Sequence, residues 1–202
     1  MSAPTVEVPL LYIPSAIPDA DRLFQALLVN LPWTRQTYKF MGNIGPVPRD
    51  EVWVSATGYR YGGRTYPGWD ELGGCKWTPD LLAIRAVVES KTLTQYSSVL
   101  CNLYRDENDC VSQHCDCEPT MSDSHPIASV SLGATRRFRV RRSKERDSKM
   151  GEGVWTTYNL EHGSLCVMLP GMQTAWVHEV PRERFECGPR INLTFRVYSD
   201  GR

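Results

Sequence analysis

A histidine and a carboxylate one residue apart, His114 and Asp116, stand in the segment SQHCDCE, and another histidine, His178, stands far downstream in TAWVHEV. In an extended strand residues i and i+2 share a face, so His114, Asp116 and Glu118 present their side chains to one side. With a histidine from a second strand, such a pair can complete the facial set of two histidines and one carboxylate that holds non-haem Fe(II) with coordination positions left open. His178 is the natural third ligand, since His125 precedes a proline in a loop and His162 sits in the EHGS turn. Taken alone, the H-x-D spacing also suits an ordinary solvated strand edge.

Two more segments break the usual apolar-in pattern. In RINLTFRVY the residues Arg190, Asn192, Thr194 and Arg196 alternate with Ile191, Leu193, Phe195 and Val197, and in SVLCNLYRD the side chains of Asn102 and Tyr104 share a face. Turning the charged face to solvent is the commoner arrangement for a single antiparallel strand. Turning it inward requires something for two guanidiniums to hold.

These residues need strands to carry them, and the chain supplies strands in number. Residues 18 to 31 read as a helix, with an Asp19-Ala-Asp start, Leu23, Phe24, Leu27 and Leu28 at helical spacing, and Pro32 just beyond. TPDLLAIRAVVES reads as a second helix, with Thr78 as N-cap, Pro79 at the first position, and Ile84 slightly off the stripe of Leu81, Leu82, Val87 and Val88. From Tyr96 onward seven strand-length runs follow one another: YSSVLCNLY, PIASVSL, RRFRVRR, VWTTYNL, SLCVML, TAWVHEV and RINLTFRVY. Two helices followed by short antiparallel strands indicate an α+β architecture built on one jelly roll.

The 202 residues are 41% hydrophobic and carry 23 basic against 23 acidic side chains, which excludes disorder, collagen and coiled coil. A chain of this length buries roughly 70% of its unfolded surface, so neither metal nor disulfide is needed for stability. Zero net charge opposes a generally basic nucleic-acid-coating protein. The seven cysteines, an odd number, read as reduced thiols. The start MSAPTVEVPLLYIPSAIPDA lacks the features of a signal peptide and no eighteen apolar residues run together, so a soluble protein of the reducing cytoplasm or nucleus is expected, without a membrane partner.

The order Asn102-Leu-Tyr104, His114-Cys-Asp116-Cys-Glu118, PIASVSLGATRRF, LEHGSL, Trp176-Val-His178-Glu-Val-Pro and GPRINLTFR resembles the AlkB family of 2-oxoglutarate- and iron-dependent nucleic-acid demethylases, and is nearest to its DNA-repair members. The resemblance runs from about Pro48 to Tyr198. It implies a double-stranded β-helix, that is, a jelly roll with two N-terminal helices and a hairpin substrate lid, in a single domain over 1–202, with the lid over about 33–77 and the barrel over about 96–198. It implies that His114, Asp116 and His178 bind Fe(II) as the catalytic centre, and that Arg190 and Arg196 bind the two carboxylates of 2-oxoglutarate, with Asn102, Tyr104 and Asn192 in support. Planar guanidiniums suit a dicarboxylate in a partly dry barrel. With O2 as co-substrate, the implied reaction converts 2-oxoglutarate to succinate and CO2 and releases an N-methyl group of 1-methyladenine or 3-methylcytosine, in DNA or RNA, as formaldehyde.

The segment PRDEVWVSATGYRYGGRTY resembles the family's recognition lid, so that Trp53, Tyr59 and Tyr61 would flank a base flipped out of its stack. Packing of the hairpin is the ordinary use of the same aromatics. Glu118 matches an acidic position near the target base. Between Gly133 and Gly151 eight basic side chains, Arg137 and Arg139 among them, stand against two acidic ones, a local +6, while Asp106 to Asp123 holds six carboxylates and no Lys or Arg. The basic stretch is a candidate phosphate-binding ridge. Cys110, Cys115 and Cys117 cluster beside His114, but their spacing is not that of a zinc finger or ribbon. The expected protein is a monomer acting on nucleic acid. A same-fold oxygenase for a protein or small molecule, and a non-catalytic jelly-roll module that binds nucleic acid, are the alternatives.

Overall fold

The computed structural model describes residues 7–40, 42–61, 63–117, 124–144 and 151–198. In chain order the first elements are strand β1 (Leu10–Ile13), helix α1 (Ala20–Asn30), strands β2 (Thr37–Phe40), β3 (Asn43–Pro46), β4 (Asp50–Val54), β5 (Tyr59–Tyr61) and β6 (Arg64–Tyr66), and helix α2 (Pro79–Thr92). They are followed by β7 (Ser98–Tyr104), β8 (Val111–His114), β9 (Ile127–Gly133), β10 (Arg136–Arg142), β11 (Thr156–Leu160), β12 (Ser164–Met168), the short helix α3 (Met172–Ala175), β13 (Trp176–Val180) and β14 (Arg190–Arg196).

Two antiparallel sheets make the jelly roll that the strand-length runs predict. The large sheet has the order β1-β12-β9-β14-β7-β4 and the small one β11-β10-β13-β8. Among the described residues eight strands follow Tyr96 rather than seven. The additional one is β8, whose four residues VSQH hold a single apolar side chain and give no alternation to read. Of the stretch 33–77 expected to be lid, β4 is the edge of the large sheet, paired with β7, and the hairpins β2–β3 and β5–β6 stand apart from both sheets.

Both helices cover the outer face of the large sheet. Leu23, Phe24 and Leu27 of α1 and Leu81, Ile84 and Val88 of α2 join Val99, Cys101 and Leu103 of β7, Val130 and Leu132 of β9, and Ile191, Leu193 and Phe195 of β14 in one core. Thr78 caps α2 by accepting from the Leu81 amide at 3.2 Å, as its position before Pro79 predicts. The stripe of α2 differs from the sequence reading. Ile84 lies at its centre, 1% exposed, because positions 81, 84 and 88 follow the 3.6-residue period, whereas Leu82 is 40% exposed.

The same alternation sends the other face of β14 between the sheets. All seven of its residues are buried. The register opposes Arg190 to Tyr104 and Asn192 to Asn102 on β7 and, on the other side, Asn192 to Ser131 and Thr194 to Ser129 on β9. Residues directly opposite across a ladder share a face, so one polar strip crosses the middle of the large sheet and looks at the small one. Ile84→Ala is expected to destabilise the fold by about 2–5 kcal/mol and Leu82→Ala by under about 1 kcal/mol, read from urea unfolding midpoints. Equal losses would refute this placement of the helix face.

Candidate active site

His114 ends β8 and His178 lies in the middle of β13, and the two are direct partners across the ladder, with ring centroids 4.3 Å apart. Asp116 follows β8 by two residues. One ligand atom from each of the three residues can be chosen so that all lie within 4.8 Å of one another. The His114 Nδ1 donates to the Ser112 carbonyl at 2.9 Å, which leaves Nε2, 3.7 Å from an Asp116 oxygen, as the lone-pair nitrogen. The other Asp116 oxygen accepts from the Arg196 Nη2 at 2.8 Å.

Electrostatics favour the ligand forms. Burial alone would raise the Asp116 carboxyl, but Arg196, His114 and His178 outweigh it and hold the group well below the usual carboxylate range. Burial, reinforced by the neighbouring His114, lowers the His178 imidazole to about 3, and burial also lowers His114 against the opposing pull of Asp116. Two neutral imidazoles beside one carboxylate form the donor set of a facial Fe(II) site.

Arg190 occupies the same cavity, 1% exposed. Its Nη2 donates to Ser131 Oγ at 2.8 Å, while Nε and Nη1 are buried with no hydrogen-bond partner among the described residues. Burial lowers its guanidinium to about 10, with the Tyr104 hydroxyl working the other way. The Tyr104 ring lies between two guanidiniums, 5.2 Å from Arg190 and 5.3 Å from Arg136. Asn192 donates to Ser129 Oγ at 2.7 Å and accepts from Thr194, and Asn102 Oδ1 accepts from the Arg49 Nε at 2.9 Å. Buried donors lacking an acceptor are costly, so the Arg190 end of the cavity fits an anion, and a carboxylate offers the planar acceptor that a guanidinium matches.

The remaining sequence candidates are placed differently. Tyr59 borders the cavity, but its ring stacks on Trp53 at 4.6 Å and on Tyr66 at 5.7 Å, with Tyr198 edge-on to the first two. Trp53, 3% exposed, donates its indole N–H to the Thr57 carbonyl and lies outside the cavity lining. These rings staple the lid hairpin to the large sheet, and no face of Trp53 is left for a base. Arg137 and Arg139 do not reach the cavity either. Val140 is the direct partner of His178, so residues at odd positions of β10 lie on the opposite face of the small sheet, where Arg137 pairs with Glu183 and Arg139 with Glu179. Arg137 and Arg139 of the expected ridge are thus turned away from the cavity and neutralised, and the ridge residues between 145 and 150 lie outside the described residues. The Tyr61 side chain and Glu118 lie outside the described residues.

Cys115 and Cys117, on either side of Asp116, are joined in a disulfide, with Cα atoms 5.3 Å apart, where the sequence predicts reduced thiols.

Arg49 and Gln173 were not legible as site residues. Arg49 lines the cavity and pairs with Glu51, which also accepts from Arg64 and Tyr66. The readable signal was two opposite charges at i and i+2 leading into the apolar run of β4. Gln173 receives the Asp116 amide at 2.8 Å, and no spacing in the sequence announces that contact.

Residues 10–196 match the 2OG-Fe(II) oxygenase superfamily, and the chain belongs to it. Fe(II), 2-oxoglutarate and O2 are the reagents of that family, and the donor set described above fits them. The relatives bear out the AlkB resemblance. The chain is 35% identical over 188 residues to the alpha-ketoglutarate-dependent dioxygenase alkB homolog 3 of Mus musculus, covering 91% of this chain and 64% of that one. It is 33% identical over 182 residues to the DNA oxidative demethylase ALKBH2 of Homo sapiens, covering 88% of this chain and 68% of that one. The solved structure of OsALKBH1 shares the fold, with a TM-score of 0.61 at 14% identity over 95% of this chain and 99% of that one. The chain spans about 64% of the length of the first of these relatives.

The lowered imidazoles predict acid lability of the metal-free protein. The unfolded chain takes up protons at the ordinary histidine value of 6.5, which folded His178 refuses until about 3, so the stability contributed above 6.5 is lost as pH falls through that window. The urea midpoint of metal-free protein should therefore drop between about pH 7.5 and about pH 5, and drop less in His178→Asn. A wild-type midpoint that is flat over this range contradicts the assignment.

Proposed function

We propose that the protein is an Fe(II)- and 2-oxoglutarate-dependent dioxygenase that demethylates N-alkylated bases, 1-methyladenine and 3-methylcytosine, in DNA or RNA. The observation that carries this reading is the convergence, in one cavity between the sheets, of the His114, Asp116 and His178 ligand atoms with the Arg190 and Arg196 guanidiniums. The names of the ALKBH2 relatives support the substrate class.

In this reading His114, Asp116 and His178 hold the iron. Arg190 offers its buried Nε and Nη1 donors to one carboxylate of 2-oxoglutarate, and Arg196, already fixed by Asp116, takes the other end. Asn102, Tyr104 and Asn192 shape the space between. When bound, iron, 2-oxoglutarate and O2 supply the oxidising chemistry, with succinate, CO2 and formaldehyde as products. The protein contributes position and dryness: Val111, Phe138, Leu160, Met168 and Val180 wall the cavity with apolar surface. Tyr59 borders the cavity, and the family resemblance assigns Tyr61 and Glu118 to the flipped base, Glu118 as acceptor for the base's exocyclic amine. The protein acts as a monomer on nucleic acid, in the cytoplasm or nucleus. Among the described residues no helix is long and apolar enough to cross a membrane.

A second reading, the same chemistry on a protein or small molecule, is favoured by one observation: the lid rings of Trp53 and Tyr59 are consumed in their own stack. Incubation with iron, 2-oxoglutarate and methylated single- or double-stranded DNA and RNA distinguishes the two. Formaldehyde and succinate in equal amounts, abolished by Asp116→Ala, are expected. Turnover of 2-oxoglutarate that no methylated oligonucleotide stimulates would favour the second reading, and no turnover at all would overturn both. Loss of a charge-assisted bond worth about 1.5–3 kcal/mol predicts that Arg190→Met raises the KM for 2-oxoglutarate by about 10- to 100-fold. An unchanged KM would remove Arg190 from the cofactor site.

A further inference from the structure

Asp116 has an unusual backbone setting for a residue that must be held in place. β8 ends at His114, and residues 115–117 have no strand assignment, so no ladder secures the Asp116 amide. A buried N–H without a partner is rare and costly. Here the partner is a side chain: Gln173 Oε1 accepts from the Asp116 N–H at 2.8 Å in a buried contact.

Gln173 is itself tightly set. It is 5% exposed, and its Nε2 donates to the Met168 sulfur at 3.5 Å, so the amide is oriented with its oxygen toward Asp116. It sits in α3, which begins after Gly171 in the left-handed region at φ 87° and runs directly into β13, the strand that carries His178. Thus the element leading into one histidine grips the backbone of the carboxylate, while Arg196 grips the carboxylate head. Backbone and side chain of Asp116 are fixed from two different directions.

We propose that Gln173 is a positioning residue of the metal centre, locking the Asp116 backbone to the α3–β13 segment so that the carboxylate and His178 keep one mutual geometry. The inference rests on the reading of His114, Asp116 and His178 as metal ligands. Groups that orient metal ligands commonly govern affinity by roughly 10- to 100-fold, and Gln173 does so through a backbone amide rather than through a ligand side chain.

The test uses Co(II) as a visible-absorbing probe, titrated into metal-free protein without 2-oxoglutarate. Gln173→Met keeps the volume and removes the acceptor, so Co(II) affinity should fall roughly 10- to 100-fold, with the far-UV spectrum unchanged. Gln173→Glu keeps an acceptor oxygen and should restore affinity to within a few-fold of wild type. Affinity unchanged in Gln173→Met, or lost equally in Gln173→Glu, overturns the proposal. Asp116→Ala separates this from the underlying reading: if it too leaves Co(II) affinity unchanged, the ligand assignment fails, whereas loss in Asp116→Ala alone sinks only the role of Gln173. Should Gln173→Met fail to fold, hydrogen exchange in the wild type decides. The Asp116 amide should be protected although it lies outside any strand, and fast exchange would refute the lock.

Discussion

The ion pair between Arg196 and Asp116 is the contact on which the site is built. Its atoms are 2.8 Å apart and its side chains are 5% and 3% exposed. Withdrawing two charges from water costs several kcal/mol per ion and is offset only by close, well-oriented pairing. Arg196 belongs to a central strand of the large sheet, flanked by β7 and β9, and Asp116 to the segment that leaves β8 in the small sheet. The pair therefore bridges the two layers at one point, and the alternation of β14 then determines where Arg190 must lie, six residues away on the same face.

The other buried charges are handled by different means, and the difference is functional. Arg136, fully buried, donates from both terminal nitrogens to the carbonyls of Asp106, Asp109 and Pro181, so it acts as a structural clamp. Glu51 collects Arg49, Arg64 and the Tyr66 hydroxyl, which ties the β5–β6 hairpin to β4 and, through Arg49 and Asn102, to the cavity. Burial and the Glu51 charge raise the Tyr66 phenol, so it remains a donor. Arg190, by contrast, keeps both Nε and Nη1 buried without a hydrogen-bond partner among the described residues, and that contrast with Arg136 marks it as a ligand-binding group.

Elements defined by local pattern were readable. The capped start of α2, the apolar spacing of α1 and the four-against-four alternation of β14 follow from rules that act within a few residues. Features requiring distant partners were not. β8 lacks an apolar rhythm because it is short and edges the small sheet beside β13, and its strand character comes from the ladder to that neighbour. The ridge residues carry an accurate charge count, yet Arg137 and Arg139 meet Glu183 and Glu179, which lie 46 and 40 positions later.

By itself the sequence determined the donor types, their spacing and which residues must share a strand face, because side-chain chemistry and the two-residue pleat repeat are local properties. Only the tertiary structure decided which face turns inward, since that depends on where the helices cover the large sheet. It alone set the aromatic lid residues against one another and turned Arg137 and Arg139 of β10 away from the cavity. It also placed a glutamine 57 positions from Asp116 against that residue's amide. Burial makes partners compulsory, and the fold, not the spacing, supplies them.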